Sequence, residues 1–226
     1  MSNKSPFHSH TGCLLIEMNA GRLTVEAEAL HAQGGYTLIE LMVVVALVGI
    51  IAAITLPSTT SIMRGYRLKG DAQAVKSLVS LAKARAASQF SRARVFVDLN
   101  TNSFSFQTWD KTANSWVTEG GATRTSLGVA FGVSDLTVAP PNTQVAIGQS
   151  PLCKDDAGAD IAATACVTFN SRGMPVDNSL PPAGGVVGNS ALYLTDGSAV
   201  YATTVTTTPL IRSWWSRVGT AAWVIQ

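Results

Sequence analysis

The sequence predicts an α+β chain: one long N-terminal helix, apolar in its first half and amphipathic in its second, packed on an antiparallel β-sheet head. Three observations carry this reading. The excess apolarity sits in a single run, residues 38–56, which holds one charge, Glu40. After that run, apolar residues recur at helical spacing to about residue 89. Beyond residue 92 the texture changes to short alternating segments divided by Gly, Pro and Asn.

Composition narrows the function classes. Of the 226 residues, 46% are hydrophobic and only 13% charged, where soluble domains carry about 25% charged residues. A chain this apolar is not intrinsically disordered. A net charge of +2 does not suit a strongly basic wrapper of nucleic acid. A run of about 20 apolar residues is long enough to span a bilayer as a helix. There is no second such run, which excludes a polytopic transporter and leaves a single anchor with a soluble remainder.

Residues 1–35 read as a leader. They are polar and irregular, with Lys4 and Arg22 set against Glu17, Glu26 and Glu28, and they end in Gly34-Gly35. A secretory signal needs a basic flank, a shorter apolar core and a cleavage site after that core. Here the flank is not basic, the run is too long, and a glutamate sits inside it. A plain signal anchor gives no reason for Glu40, because a carboxylate in lipid costs roughly 2.5–3.5 kcal/mol and usually has a partner. Were the chain cut after Gly35, Tyr36 would carry a new α-amino group. Glu40 would then lie within reach of such an amine on a neighbouring subunit.

Gly35-Tyr36-Thr37-Leu38-Ile39-Glu40-Leu41 resembles the class III signal of type IV prepilins and type II secretion pseudopilins. The resemblance implies a type IV pilin-like fold and an N-terminus that prepilin peptidase cuts after Gly35 and N-methylates on Tyr36. It makes Glu40 the assembly glutamate and Pro57 the helix-kinking proline. It divides the chain into a leader (1–35, removed), a transmembrane and filament-core helix (36–57) and an α+β globular head (58–226). The implied partners are prepilin peptidase, other pilins or pseudopilins, and the inner membrane. The implied location is single-pass in the inner membrane with the head in the periplasm, then in a pilus or pseudopilus. The leader is longer and more acidic than is usual in that family; Met18 is an alternative start that leaves the mature protein unchanged. Arg64, Arg67 and Lys69 follow the run closely, so the positive-inside rule alone would place the head in the cytoplasm. The processing motif outweighs it.

Within residues 58–89, Val75, Leu78, Val79, Ala82 and Ala86 follow the spacing of one helical face, while Lys76, Lys83 and Arg85 fall away from it. The expected helix, from residue 36 to about residue 89, is roughly 80 Å long and bent near Pro57. Residues 94–100 and 103–109 read as a hairpin. Further strands are expected at 144–147, 166–170, 191–195, 198–205, 210–215 and 222–225.

All three histidines, His8, His10 and His31, precede the apolar run. A processed chain therefore lacks a histidine for the common nucleophile systems and for most zinc sites. No enzyme activity, cofactor or metal is expected, although a signal-anchored periplasmic enzyme using a Ser-Lys or carboxylate pair stays conceivable. Asp155, Asp156 and Asp160 form the acidic cluster, read as a solvated loop with a calcium site as the alternative. Cys153 and Cys166 read as a disulfide of an exported domain, worth roughly 3 kcal/mol. Eight Lys and Arg lie between Arg64 and Arg94 against one acid, Asp71; a solvated face is the main reading and a nucleic-acid track the alternative. The segment Val167-Thr168-Phe169-Asn170-Ser171-Arg172-Gly173-Met174-Pro175 resembles one found in the GspH/FimT branch of minor pilins. Some members of that branch bind DNA through a C-terminal Gly-Arg-x-Arg motif. This chain has only Arg212 and Arg217 beside Trp214 and Trp215, so DNA binding for transformation is the alternative and is not favoured.

Overall fold

The computed structural model describes residues 35–220 and 222–226, with the side chains of residues 54–61 outside the description. The leader reading for residues 1–34 and the packing of Pro57 therefore lie outside the described residues. The chain forms two compact units, Met1–Val48 and Gly49–Gln226. Helix α1, Leu38–Ser88, begins in the first unit and continues into the second. Its bounds agree closely with the expected helix, and its helical assignment continues through Pro57.

The second unit holds the tertiary core. Leu68, Ala72, Val75, Val79, Ala82 and Ala86 are all buried, alternating steps of four and three that keep one stripe facing inward. Against this stripe lie two five-stranded sheets, antiparallel throughout. The first comprises β1 (Ala93–Asp98), β2 (Ser103–Asp110), β3 (Ser115–Arg124), β5 (Thr164–Phe169) and β6 (Pro175–Val176), in the order β3-β2-β1-β5-β6. The second comprises β4 (Ala130–Phe131), β7 (Ser190–Thr195), β8 (Ala199–Val205), β9 (Ile211–Arg217) and β10 (Val224–Ile225), in the order β10-β9-β8-β7-β4. One core joins the helix stripe to Val95, Val97, Phe104, Phe106, Val167 and Phe169 of the first sheet and Leu192, Leu194 and Val205 of the second. Each such side chain contributes about 1.5–3 kcal/mol through burial. The other face of the second sheet packs Tyr193, Val200, Ala202 and Trp214 under Leu136, with Ile147 and Trp223 at the edge.

The expected hairpin is present, with Val95 opposite Phe106 and Val97 opposite Phe104. Several features differ from expectation. The long strand β3 was not anticipated, because Glu119, Gly120 and Gly121 interrupt any apolar alternation and most of the strand is exposed at a sheet edge. Residues 144–147 are not a strand. They follow Pro140-Pro141, and the next segment docks on β7 through one backbone bond, from the Ser150 N–H to the Ala191 carbonyl at 2.8 Å, and through a side chain. The Gln149 amide accepts from the Tyr193 N–H at 3.0 Å and donates to the Tyr193 carbonyl at 2.8 Å, standing in for a strand partner. Gln144 meanwhile accepts from the Tyr193 hydroxyl at 2.6 Å. The last expected strand is shortened to Val224–Ile225.

Candidate functional site

The N-terminal segment is built by one capping interaction. Residues 35–37 have no regular structure. Thr37 then closes the helix start: its hydroxyl accepts from the Glu40 N–H at 3.3 Å, and its carbonyl accepts from the Leu41 N–H at 3.2 Å. Thr37 is thus the N-cap and Glu40 the third helical residue, the spacing of a capping box. A carboxylate in the first turn also suits the positive end of the helix dipole, by about 0.3–1 kcal/mol. Thr37-x-x-Glu40 carries this capping signal in the sequence itself.

Among the described residues, nothing packs around this start. Nothing lies within 4 Å of the position where Gly35 would carry a side chain. Tyr36, Leu38, Ile39, Leu41, Met42 and the apolar residues through Ile51 are exposed on all sides. A helix apolar all round is made to be covered by lipid or by other helices. Among the described residues the ion pairs are Arg85–Glu119 and Lys154–Asp160; Glu40 belongs to neither. Among the residues whose side chains are described, no helix is long and apolar enough to cross a membrane. The run in the sequence extends to Leu56, beyond the last described side chain of this stretch.

The other candidates separate in space. Cys153 and Cys166 are disulfide-bonded, with Cα atoms 5.0 Å apart. The bond ties the Asp loop to β5. Asp155 accepts from the N–H groups of Ala157 and Ala159, Asp160 pairs with Lys154 at 2.8 Å, and Asp156 accepts from the Trp116 N–H. These carboxylates organise the loop, and among the described residues no His, Cys, Asp and Glu are grouped to hold a metal.

Four of the eight basic residues of the stretch, Lys83, Arg85, Arg92 and Arg94, are engaged within the head. Arg92 is buried and donates to the Ser179 and Ala183 carbonyls. Arg94 is buried too, stacks over the Trp116 ring at 3.9 Å and donates to Gln107 and to the Lys154 carbonyl. Burial lowers its pKa to about 10 against the opposing pull of Asp156, so it stays charged at neutral pH. Arg85 pairs with Glu119 at 3.2 Å, and Lys83 donates to the Pro209 carbonyl at 3.0 Å. Arg212 and Arg217, five positions apart on β9, point to opposite faces of the strand. Trp214, between them, is buried with its N–H donated to Thr204 at 3.0 Å. The two arginines therefore share no patch with a free aromatic face.

The segment 167–175 is a structural hairpin joining β5 to β6. The Asn170 side chain accepts from the Arg172 and Met174 N–H groups. Gly173, at φ +72°, takes the left-handed turn, where a side chain would be strained and its Cβ would lie 3.4 Å from Lys83.

Residues 30–56 match the family model described as the prokaryotic N-terminal methylation motif. The chain has a prepilin-type N-terminus. The match covers the capped start of α1 and the whole apolar run, residues 38–56. Among solved structures, the chain is similar to two of the minor pseudopilin EpsH from the type II secretion system of Vibrio cholerae. One shows 12% identity over 68% of this chain and 98% of that one, with a TM-score of 0.40. The other shows 13% identity over 65% and 92%, with a TM-score of 0.38. No curated protein sequence matches the chain.

Proposed function

We propose that the chain is a minor pilin or pseudopilin, a structural subunit of a type IV pilus or type II secretion filament. Prepilin peptidase cuts the open segment after Gly35 and methylates the Tyr36 amine. The apolar part of α1 anchors the subunit in the inner membrane with its head in the periplasm, and later packs among the helices of other subunits. The observation that carries this reading is the capped helix start with Glu40 in its first turn, set in an exposed, wholly apolar surface within the matched motif. In the filament, Glu40 pairs with the Tyr36 amine of an adjacent subunit. Both charges leave water together, and either alone would be costly. The disulfide supports an oxidising compartment for the head.

The test is the Glu40→Ala variant, assayed for processing and for incorporation into filaments. Processing is expected to persist and incorporation to fall sharply. Normal incorporation would remove the pairing. The nucleic-acid alternative rests on Arg212 and Arg217; a gel shift of the full chain that is abolished by Arg212→Ala with Arg217→Ala, and weakened by salt, would favour it.

A further inference from the structure

A cavity of about 600 Å³ lies beyond the C-terminal end of α1, within the usual size range of ligand pockets. Four separate segments form it: the helix end at Phe90 to Arg92, the β2–β3 turn with Lys111, the β5–β6 turn with Arg172, and the loop carrying Pro181 and Pro182. Three cations line it, and no Asp or Glu does. Arg92 is fixed in the wall by its two carbonyl acceptors. Lys111 is held across the cavity by the Phe90 carbonyl at 2.6 Å. Arg172 sits at the tip of the turn that Asn170 organises, exposed, and among the described residues its guanidinium has no partner. The nearby carboxylate, Asp177, is engaged by the N–H groups of Ser179 and Gly185 and offsets the charge of Arg92, which leaves Lys111 and Arg172 as the cations open to a ligand.

The helix ending adds an independent observation. The Ser91 N–H bonds to the Ala86 carbonyl and the Phe90 N–H to that of Ala87, the double closure that normally places glycine at the left-handed position. Here that position is Phe90, at φ 49°, a conformation unfavourable for a bulky side chain. The ring gains no burial in return, being 73% exposed at the edge of the cavity. An apolar ring kept at a backbone cost, uncovered, beside an unpartnered arginine points to an absent ligand.

From this we infer that the cavity docks an acidic segment of a partner polypeptide, its carboxylates meeting Arg172 and Lys111 and an apolar side chain lying on Phe90. Charge complementarity favours a peptide over a nucleic acid. A phosphate backbone needs a track of cations, whereas these cations are clustered at one spot, with Arg85 already paired, Arg94 buried and the β9 arginines on opposite faces. The arginine fork accepts carboxylate and phosphate alike; the single cluster of cations and the exposed Phe90 ring beside it suit a short acidic segment with an apolar side chain. The inference concerns the head alone and stands whether or not the chain assembles into a filament.

The experiment uses the full chain in detergent and fluorescence polarisation with three labelled probes. These are acetyl-Asp-Phe-Glu-Leu-Asp-amide, its uncharged counterpart acetyl-Asn-Phe-Gln-Leu-Asn-amide, and a short oligothymidylate. The acidic peptide is expected to bind at least about tenfold more tightly than the uncharged one, and Arg172→Ala and Lys111→Ala each to weaken it about fivefold or more. Phe90→Gly is the decisive variant. It relieves the left-handed strain, so thermal stability should hold or rise while peptide binding falls. Equal binding of the two peptides, or unchanged binding in the three variants, would overturn the inference. So would tighter binding of the oligothymidylate that is lost in the same variants.

Discussion

Helix α1 contains two regions with the same secondary structure and opposite needs. From Leu38 to Ile51 its apolar side chains are exposed on every side. From Leu68 to Ala86 a single stripe is buried against two sheets, and the remaining positions are mainly polar or small. The second region obtains its packing within the chain. The first keeps its helix through Thr37, Glu40 and its own backbone ladder, and among the described residues its apolar side chains stay exposed. Helicity alone therefore says little about stability; what covers the helix decides it.

The strongest way to break this comparison is to place the same charge in both regions. Val79→Asp puts an unpaired carboxylate into the core and should destabilise the head by on the order of 4 kcal/mol. Val44→Asp should leave head stability unchanged while impairing membrane insertion, at roughly 2.5–3.5 kcal/mol. Urea unfolding of the full chain in detergent, followed by tryptophan fluorescence, together with membrane fractionation separates the two. Equal loss of head stability in both would erase the distinction.

How far the sequence revealed this follows the same division. The helix, its buried stripe and the first hairpin were readable because their apolar periods are clean at Val75, Val79, Ala82 and Ala86 and at Val95 and Val97. Strand β3 was not, because an exposed edge strand needs no apolar alternation. Residues 144–147 looked like a strand, yet the Gln149 amide took over the pairing to β7, an arrangement that composition does not announce. The N-terminal motif is contiguous and was legible in full. The cavity beneath Phe90 was not, since it joins turns far apart in the chain. The basic stretch misled for a related reason: Arg92 and Arg94 look like surface cations in sequence but anchor loops inside the head.

Smaller perturbations sharpen the contrast. Cys153→Ser with Cys166→Ser should cost about 3 kcal/mol of head stability, read in the same unfolding assay, with no change in membrane association. Thr37→Ala should remove about 1 kcal/mol from the helix start, visible as faster amide exchange at Glu40 and Leu41 and absent from the second region. The least effect is expected from Asp177, held below the usual carboxylate range by the Ser179 side chain first, then by backbone N–H groups and Arg92. The unfolded chain binds that proton first, so its contribution is present above the ordinary carboxylate pKa and is lost as pH falls through the lower folded value. Asp177→Asn should remove that contribution, lowering stability slightly at neutral pH and flattening the acid limb, as followed by unfolding midpoints across pH.

Mass spectrometry of the N-terminus of the protein from its native membrane tests the central claim most directly. The account predicts a chain that starts at Tyr36 and carries one added methyl group on its amine. An intact leader, or a cut anywhere other than after Gly35, would contradict it.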